Sequence, residues 1–183
     1  MSMEIRIDTL RERPRRLTFS EPVESFPALA ELEGQEGGCF RGEIRAQLTA
    51  ELVGSLVEVE GTLTATLASA CSRCLQPVTL PLELPVALSF TRQGRVEADA
   101  AEEVELSEDD VGLIPFEGDE IDLRAPLEQE LLMGLPQHPL CAEHCAGLCP
   151  VCGADQNRSR CGCTPPVFHG GLAALKNFKV AKD

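Results

Sequence analysis

Residues 141–163 read CAEHCAGLCPVCGADQNRSRCGC and hold six of the chain's nine cysteines within 23 residues. The spacing is Cys-x3-Cys, then Cys-x3-Cys-x2-Cys, then Cys-x-Cys. Its middle part, Cys149-Pro150-Val151-Cys152-Gly153, has the form of a zinc knuckle. Two sulfurs three positions apart converge on one tetrahedral ion when the backbone turns sharply, and a glycine after the second cysteine makes that turn sterically cheap. Gly147 and Gly153 stand at such turns and Gly162 lies inside the last pair. One further pair, Cys71-Ser72-Arg73-Cys74, brings the paired cysteines to eight and leaves Cys39 over. Eight sulfurs suit two closed four-thiolate sites, and the expected cofactor is zinc, two ions per chain.

The grouping can be argued from loop length. Cys149, Cys152, Cys161 and Cys163 form a local site closed by the short loop 153–160, which costs little entropy. Cys71, Cys74, Cys141 and Cys145 then form a second. The other arrangement, with 141 and 145 joining 149 and 152 while 71 and 74 join 161 and 163, stays open on sequence alone.

A chain of 183 residues can bury roughly 70% of its unfolded surface, so metal is not needed merely to create a core. The opening MSMEIRIDTL lacks the apolar run of a signal peptide, and no stretch approaches the ~18 apolar residues of a membrane span. The expectation is a cytoplasmic protein with reduced thiols and no membrane partner, in which metal ligation is favoured over disulfides. Tryptophan and tyrosine are absent, so the core must be aliphatic. The formal charge of −14 becomes about −18 once two zinc ions each sit among four thiolates. A chain this acidic is not drawn to nucleic acid by its overall field, so phosphate contact would need a local basic patch or a basic protein as intermediary.

Residues 1–20 carry Arg6, Arg11, Arg13, Arg15 and Arg16 against Glu4, Asp8 and Glu12. They read as a solvated, partly extended segment, with phosphate contact as the functional alternative. Residues 21–38, rich in Pro, Glu and Gly, read as irregular. From Phe40 the pattern turns regular. Phe40, Gly42, Ile44, Ala46, Leu48, Ala50 and Leu52 alternate with polar residues, and Val57, Val59, Gly61, Leu63, Ala65 and Leu67 do so on the opposite phase. A two-residue turn at Gly54-Ser55 sets Leu52 against Val57, Leu48 against Gly61 and Ile44 against Ala65, so both apolar sets share one face; Glu51 then meets Glu58 on the other. Val78 to Phe90 alternates again, with Pro81 and Pro85 marking an edge or bulged strand, and Cys71 and Cys74 fall at the hairpin tip before it.

Residues 97–110 contain eight acids and no basic residue, which suits a solvated loop or an acidic arm for a basic protein. IDLRAPLEQELLMGLP predicts a short extended segment and then a helix over the apolar face of the sheet. Pro126 falls in its first turn, Leu127 and Leu131 share a face, and Gly134 caps its end. The tail offers Leu172, Leu175 and Phe178 to one face of a short helix and Lys176, Lys179 and Lys182 to an adjacent one. The fold class is therefore α+β and mainly antiparallel β: a hairpin-built sheet or open barrel covered by a helix, with a C-terminal zinc-knuckle module. The domain division expected is 1–140 and 141–183.

CSRCLQP, IDLRAPLEQELLMGLPQHPLC and CAGLCPVCG, with Asn157 and Cys161-Gly-Cys163, resemble the YceD family of large ribosomal RNA subunit accumulation proteins. The resemblance covers most of the chain from about residue 40. It implies a non-enzymatic factor for large-subunit (23S) ribosomal RNA, with no catalytic residues and no small-molecule substrate. Its partners would be the RNA precursor or a basic large-subunit ribosomal protein. From the chain's own charge, with 16 basic residues against 30 acids, the acidic loop would meet such a protein, while Arg158, Arg160, Lys176 and Lys179 reach phosphate. The family commonly reads Cys-Gly-x-Asn-Leu-Asn and then, after the last cysteine pair, Asp-Pro-Arg; here the chain has Cys152-Gly153-Ala154-Asp155-Gln156-Asn157, in which Asn157 is what clearly remains of the first pattern, and Thr164-Pro165-Pro166-Val167 in place of the second.

Two rival classes fit less well. A zinc hydrolase keeps an open ligand position and a nearby base, whereas eight paired cysteines leave no vacancy, and His144 and Glu143 read as residues of a turn. A thiol oxidoreductase using Cys71 and Cys74 would place one of them at a helix N-terminus, yet Leu75-Gln76-Pro77 leads into a strand pattern.

Overall fold

The computed structural model describes residues 3–32, 38–92 and 112–164. Two compact units divide the chain, one comprising Met1–Ser69 and Val78–Pro139, the other Ala70–Pro77 and Leu140–Asp183. The tip between the second and third long strands thus belongs with the cysteine-rich stretch. The acidic segment 97–110 and the tail helix expected around Leu172–Lys182 lie outside the described residues.

In the first unit, three long strands, β3 (Cys39–Val53), β4 (Leu56–Ala70) and β5 (Pro77–Arg92), form the centre of a five-stranded sheet whose outer strands are β2 (Arg15–Pro22), beside β3, and β6 (Leu113–Phe116), beside β5. The fold is α+β and strand-dominated, with open sheets and few helices, as the alternation implied. The turn at Gly54-Ser55 sets the register: Leu52 faces Val57, Leu48 faces Gly61 and Glu51 faces Glu58. Beyond that the ladder departs from the simple expectation. Arg45 pairs with Thr64 but Arg41 pairs with Thr66, so Gly42–Ile44 bulge opposite Ala65 and the anticipated Ile44–Ala65 pairing is interrupted. Gly42, at φ 75°, supplies the left-handed residue that such a bulge needs. Both Ile44 and Ala65 remain buried.

β6 (Leu113–Phe116) runs parallel to β5 and pairs only with Ser89–Arg92. Among the described residues, the part of β5 that carries Pro81 and Pro85 therefore has β4 as its one neighbour, an edge position that tolerates a missing N–H. The apolar face is covered by α2 (Arg124–Met133), which buries Pro126, Leu127 and Leu131, the two leucines in the same cluster as Ala46, Leu48, Val59, Leu63, Val86 and Phe90. Gly134 caps the helix, its N–H donating to the Glu130 carbonyl at 2.9 Å. Its φ of −77° is open to any residue. A Cβ there would meet the end of the half-buried Leu84 side chain, which would have to shift to make room.

The N-terminal region corrects the sequence reading. Residues 3–20 are not a solvated extension, since β1 (Glu4–Arg6) pairs with β7 (Glu120–Asp122) and β2 (Arg15–Pro22) forms the sheet's outer strand on β3. Met3, Ile5, Ile7, Leu10 and Phe19 are buried in the core while the arginines point outward. Residues 21–38 are not wholly irregular either: a 3-10 turn at Val23–Ser25 leads into α1 (Pro27–Glu31), burying Val23, Phe26 and Leu29. The Glu128 carboxylate on α2 accepts the Ala28 and Leu29 N–H groups at 2.7 and 3.2 Å, capping a helix that lacks a cap of its own.

Gly61 faces Leu48 across the central pair, and a Cβ on it would strike the Gln47 carbonyl oxygen. Gly61→Ala is expected to cost on the order of 1–3 kcal/mol, since the obstacle is backbone. An unchanged urea midpoint would contradict this close approach of β3 and β4.

Candidate metal centres

The second unit is built from two hairpin-like knuckles of the same construction. In the first, Cys71 N–H donates to the Gln76 carbonyl at 2.8 Å and Leu75 N–H to the Cys71 carbonyl at 2.8 Å. In the second, Cys149 N–H donates to the Ala154 carbonyl at 2.8 Å and Gly153 N–H to the Cys149 carbonyl at 2.9 Å. Both need a left-handed residue after the second cysteine. Gly153 takes φ 72° freely, whereas Leu75 takes φ 59° despite its side chain, at a cost of about 1–2 kcal/mol.

These knuckles bring the cysteines into two groups of four, Cys71/Cys74/Cys141/Cys145 and Cys149/Cys152/Cys161/Cys163, with all sulfurs of a group within 4.8 Å of one another. Cys71 Sγ lies 3.8 Å from Cys145 Sγ, and Cys74 Sγ lies 3.7 Å from Cys141 Sγ. A disulfide would require about 2.05 Å. Metal–sulfur bonds of about 2.3 Å in a tetrahedron give sulfur–sulfur edges of about 3.8 Å, so the donor set and its spacing fit a tetrahedral ion. Either group could hold a metal ion. The first is the more enclosed, with Cys71, Cys74 and Cys145 buried and Leu140 and Leu148 packed on them. In the second only Cys149 is buried. Cys39, at the start of β3, belongs to neither group.

The remaining geometry locks the loops. Arg73 donates from its guanidinium to the Glu143 and Cys145 carbonyls at 3.2 and 3.0 Å, and its own carbonyl accepts the Leu148 N–H at 3.0 Å. Gly147, at φ 74°, sits against that same carbonyl, where a Cβ would be 3.0 Å away. Asp155 winds the loop 153–160: its carboxylate accepts the Asn157 N–H at 2.9 Å and its carbonyl accepts those of Arg158 and Ser159 at 3.1 Å. The Asn157 backbone and side-chain bonds hold the Asp155 carboxyl below its ordinary range. Glu143 and His144 are in neither thiol group, and strand β5, not a helix, follows Cys74. Arg158 is exposed, reaching the Asp155 carboxylate and the Gln76 amide at 3.5 Å each. Arg160 is exposed on the same loop. Lys176 and Lys179 lie outside the described residues.

The thiols within each group do not ionise alike. The backbone N–H of Cys141, with those of Cys74 and Arg73, holds Cys71 down at about 6 against its burial. The N–H groups of Cys152 and Val151 do the same for Cys149, also to about 6. The neighbouring sulfurs of Cys145 and Cys74 push Cys141 up to about 12, and those of Cys152 and Cys161 push Cys163 up to about 12. Each group thus offers one ready thiolate and one that gives up its proton only to a cation.

Residues 59–179 match the family described as large ribosomal RNA subunit accumulation protein YceD, a stretch that includes all eight grouped cysteines. The chain belongs to the YceD family. Relatives include a protein of Mycobacterium bovis and two of Mycobacterium tuberculosis, each called an uncharacterized protein and each 35% identical over 95 residues, which is 52% of this chain. The shared stretch spans 42% of the length of those relatives. No solved structure matches.

Proton competition gives a direct check on the YceD centres. Cys141 and Cys163, at about 12, carry protons at neutral pH that an ion must displace, so affinity falls as pH falls, by about tenfold per unit for each proton released. Below about 6 Cys71 and Cys149 are protonated as well, and the loss steepens. Chelator competition between pH 8 and 5.5 should show this slope; a flat profile would contradict thiolate ligation.

Proposed function

We propose that this protein is a non-enzymatic, cytoplasmic ribosome biogenesis factor that supports accumulation or processing of large-subunit (23S) ribosomal RNA, with two zinc ions in structural roles. The observation that carries the reading is the family match over residues 59–179, which contains both complete sets of four sulfurs. All-sulfur tetrahedral donors favour zinc over harder divalent ions, and four protein ligands leave no position for a reacting water. The burial of Cys71 and Cys74 argues against thiol exchange, which needs an accessible thiolate. Among the described residues no helix is long and apolar enough to cross a membrane.

The route to the ribosome is set by charge. Sixteen basic residues against 30 acids, with no tyrosine or tryptophan, suit neither a broad phosphate grip nor base stacking. The interface is therefore small and composite. The acidic segment 97–110 meets a basic large-subunit ribosomal protein, and Arg158 and Arg160, with Lys176 and Lys179 of the tail, touch phosphate of the RNA precursor. Arg160 is the freer of the two arginines, because Arg158 shares its guanidinium with Asp155 and Gln76.

Cells lacking this gene should show a lowered 23S to 16S ratio, restored by the wild-type chain but not by Cys71→Ser/Cys74→Ser. An unchanged ratio in the deletion strain would overturn the reading. Rescue by a stably expressed chain lacking those thiols would remove the role assigned to the first centre.

A further inference from the structure

The loop 153–160 closes the second thiol group, yet one of its side chains reaches a sulfur of the first. Asn157 Nδ2 donates to Cys145 Sγ at 3.3 Å and to the Asp155 carboxylate at 2.8 Å, while Oδ1 accepts the Ala146 N–H at 2.7 Å. The opposite amide orientation would set an oxygen against a sulfur and a carboxylate and an NH2 against an N–H, so the network admits one assignment. Asn157 is itself exposed, which leaves these bonds, not packing, as what the amide contributes. An N–H aimed at a ligand sulfur orients that ligand, and partners of this kind tune its affinity for metal.

Asn157 stands between Cys152 and Cys161, so an ion that draws those two cysteines together also fixes the loop from which the amide projects. A parallel backbone bond, Gln156 N–H to the Gly147 carbonyl at 2.9 Å, holds the same loop to the segment between the groups. We propose that Asn157 is a positioning residue that couples the two centres, so that filling the Cys149/Cys152/Cys161/Cys163 group tightens ion binding at Cys71/Cys74/Cys141/Cys145. Linkage makes the effect reciprocal: an ion at the first centre tightens the second by the same factor. The inference rests on the reading that both groups take metal.

The test uses the full chain titrated with Zn2+ against a chromophoric chelator, and with Cd2+ followed by cadmium-113 NMR. Asn157→Ala is expected to weaken the first centre by about 10–100-fold and to move its cadmium resonance, while the Gln156–Gly147 bond keeps the loop in place. Cys161→Ser/Cys163→Ser, which empties the second centre, should weaken the first comparably, and adding Asn157→Ala to that chain should change little more. Asn157→Asp keeps the acceptor for Ala146 but loses the N–H toward sulfur, so it should bind no better than Asn157→Ala. Wild-type affinity in Asn157→Ala, recovery in Asn157→Asp, or additive losses would each overturn the coupling. A wild-type chain that takes up no metal would instead overturn the proposed structural zinc, and with it the premise.

Discussion

Four sulfurs within 4.8 Å of one another cannot all carry charge unless a cation lies among them, and most of the second unit follows from that constraint. Backbone N–H groups hold Cys71 in one group and Cys149 in the other well below the ordinary thiol range, while neighbouring sulfurs push Cys141 and Cys163 up. With an ion, repulsion becomes ligation, and the same spacing becomes the edge of a tetrahedron. Among the described residues of that unit, Leu140 and Leu148, both partly buried, pack against three buried cysteines, and metal held at the thiols would add to so small an apolar cluster.

The two knuckles solve one problem with different residues. The backbone bonds at Cys71–Gln76 and Cys149–Ala154 correspond one for one, yet the second uses Gly153 where the first uses Leu75. That substitution carries strain and exposes a leucine, which the surrounding structure must outweigh. Arg73 contributes to this, since both its guanidinium and its carbonyl bind the 143–148 segment, and Gly147 gives the carbonyl room.

Where a single face is buried, the sequence is readable: the β3–β4 register near the turn follows from apolar alternation and the Gly54-Ser55 turn, and the helix over Leu127 and Leu131 from its spacing with Pro126 and Gly134 at its ends. The pairing of cysteines was equally visible in their spacing, but which pairs meet depends on where the strands deliver Cys71 and Cys74, so two groupings stayed open. The N-terminal strands were obscured by their arginines. Arg15, Arg16, Thr18 and Ser20 suggest a solvated segment until Leu17 and Phe19 are seen to alternate with them. Asn157 gave no chemical signal in the sequence, because a lone asparagine in a loop shows its purpose only when its amide is seen beside Cys145.

The central claim is that eight cysteines, in two sets of four, hold two ions. X-ray absorption at the zinc edge, on purified full-length protein with metal content measured in parallel, tests it most directly. Two zinc ions per chain, each with about four sulfurs near 2.3 Å, are the expected result. Nitrogen or oxygen in the first shell, sulfur–sulfur bonds near 2.05 Å, or fewer than two ions at saturation would contradict it.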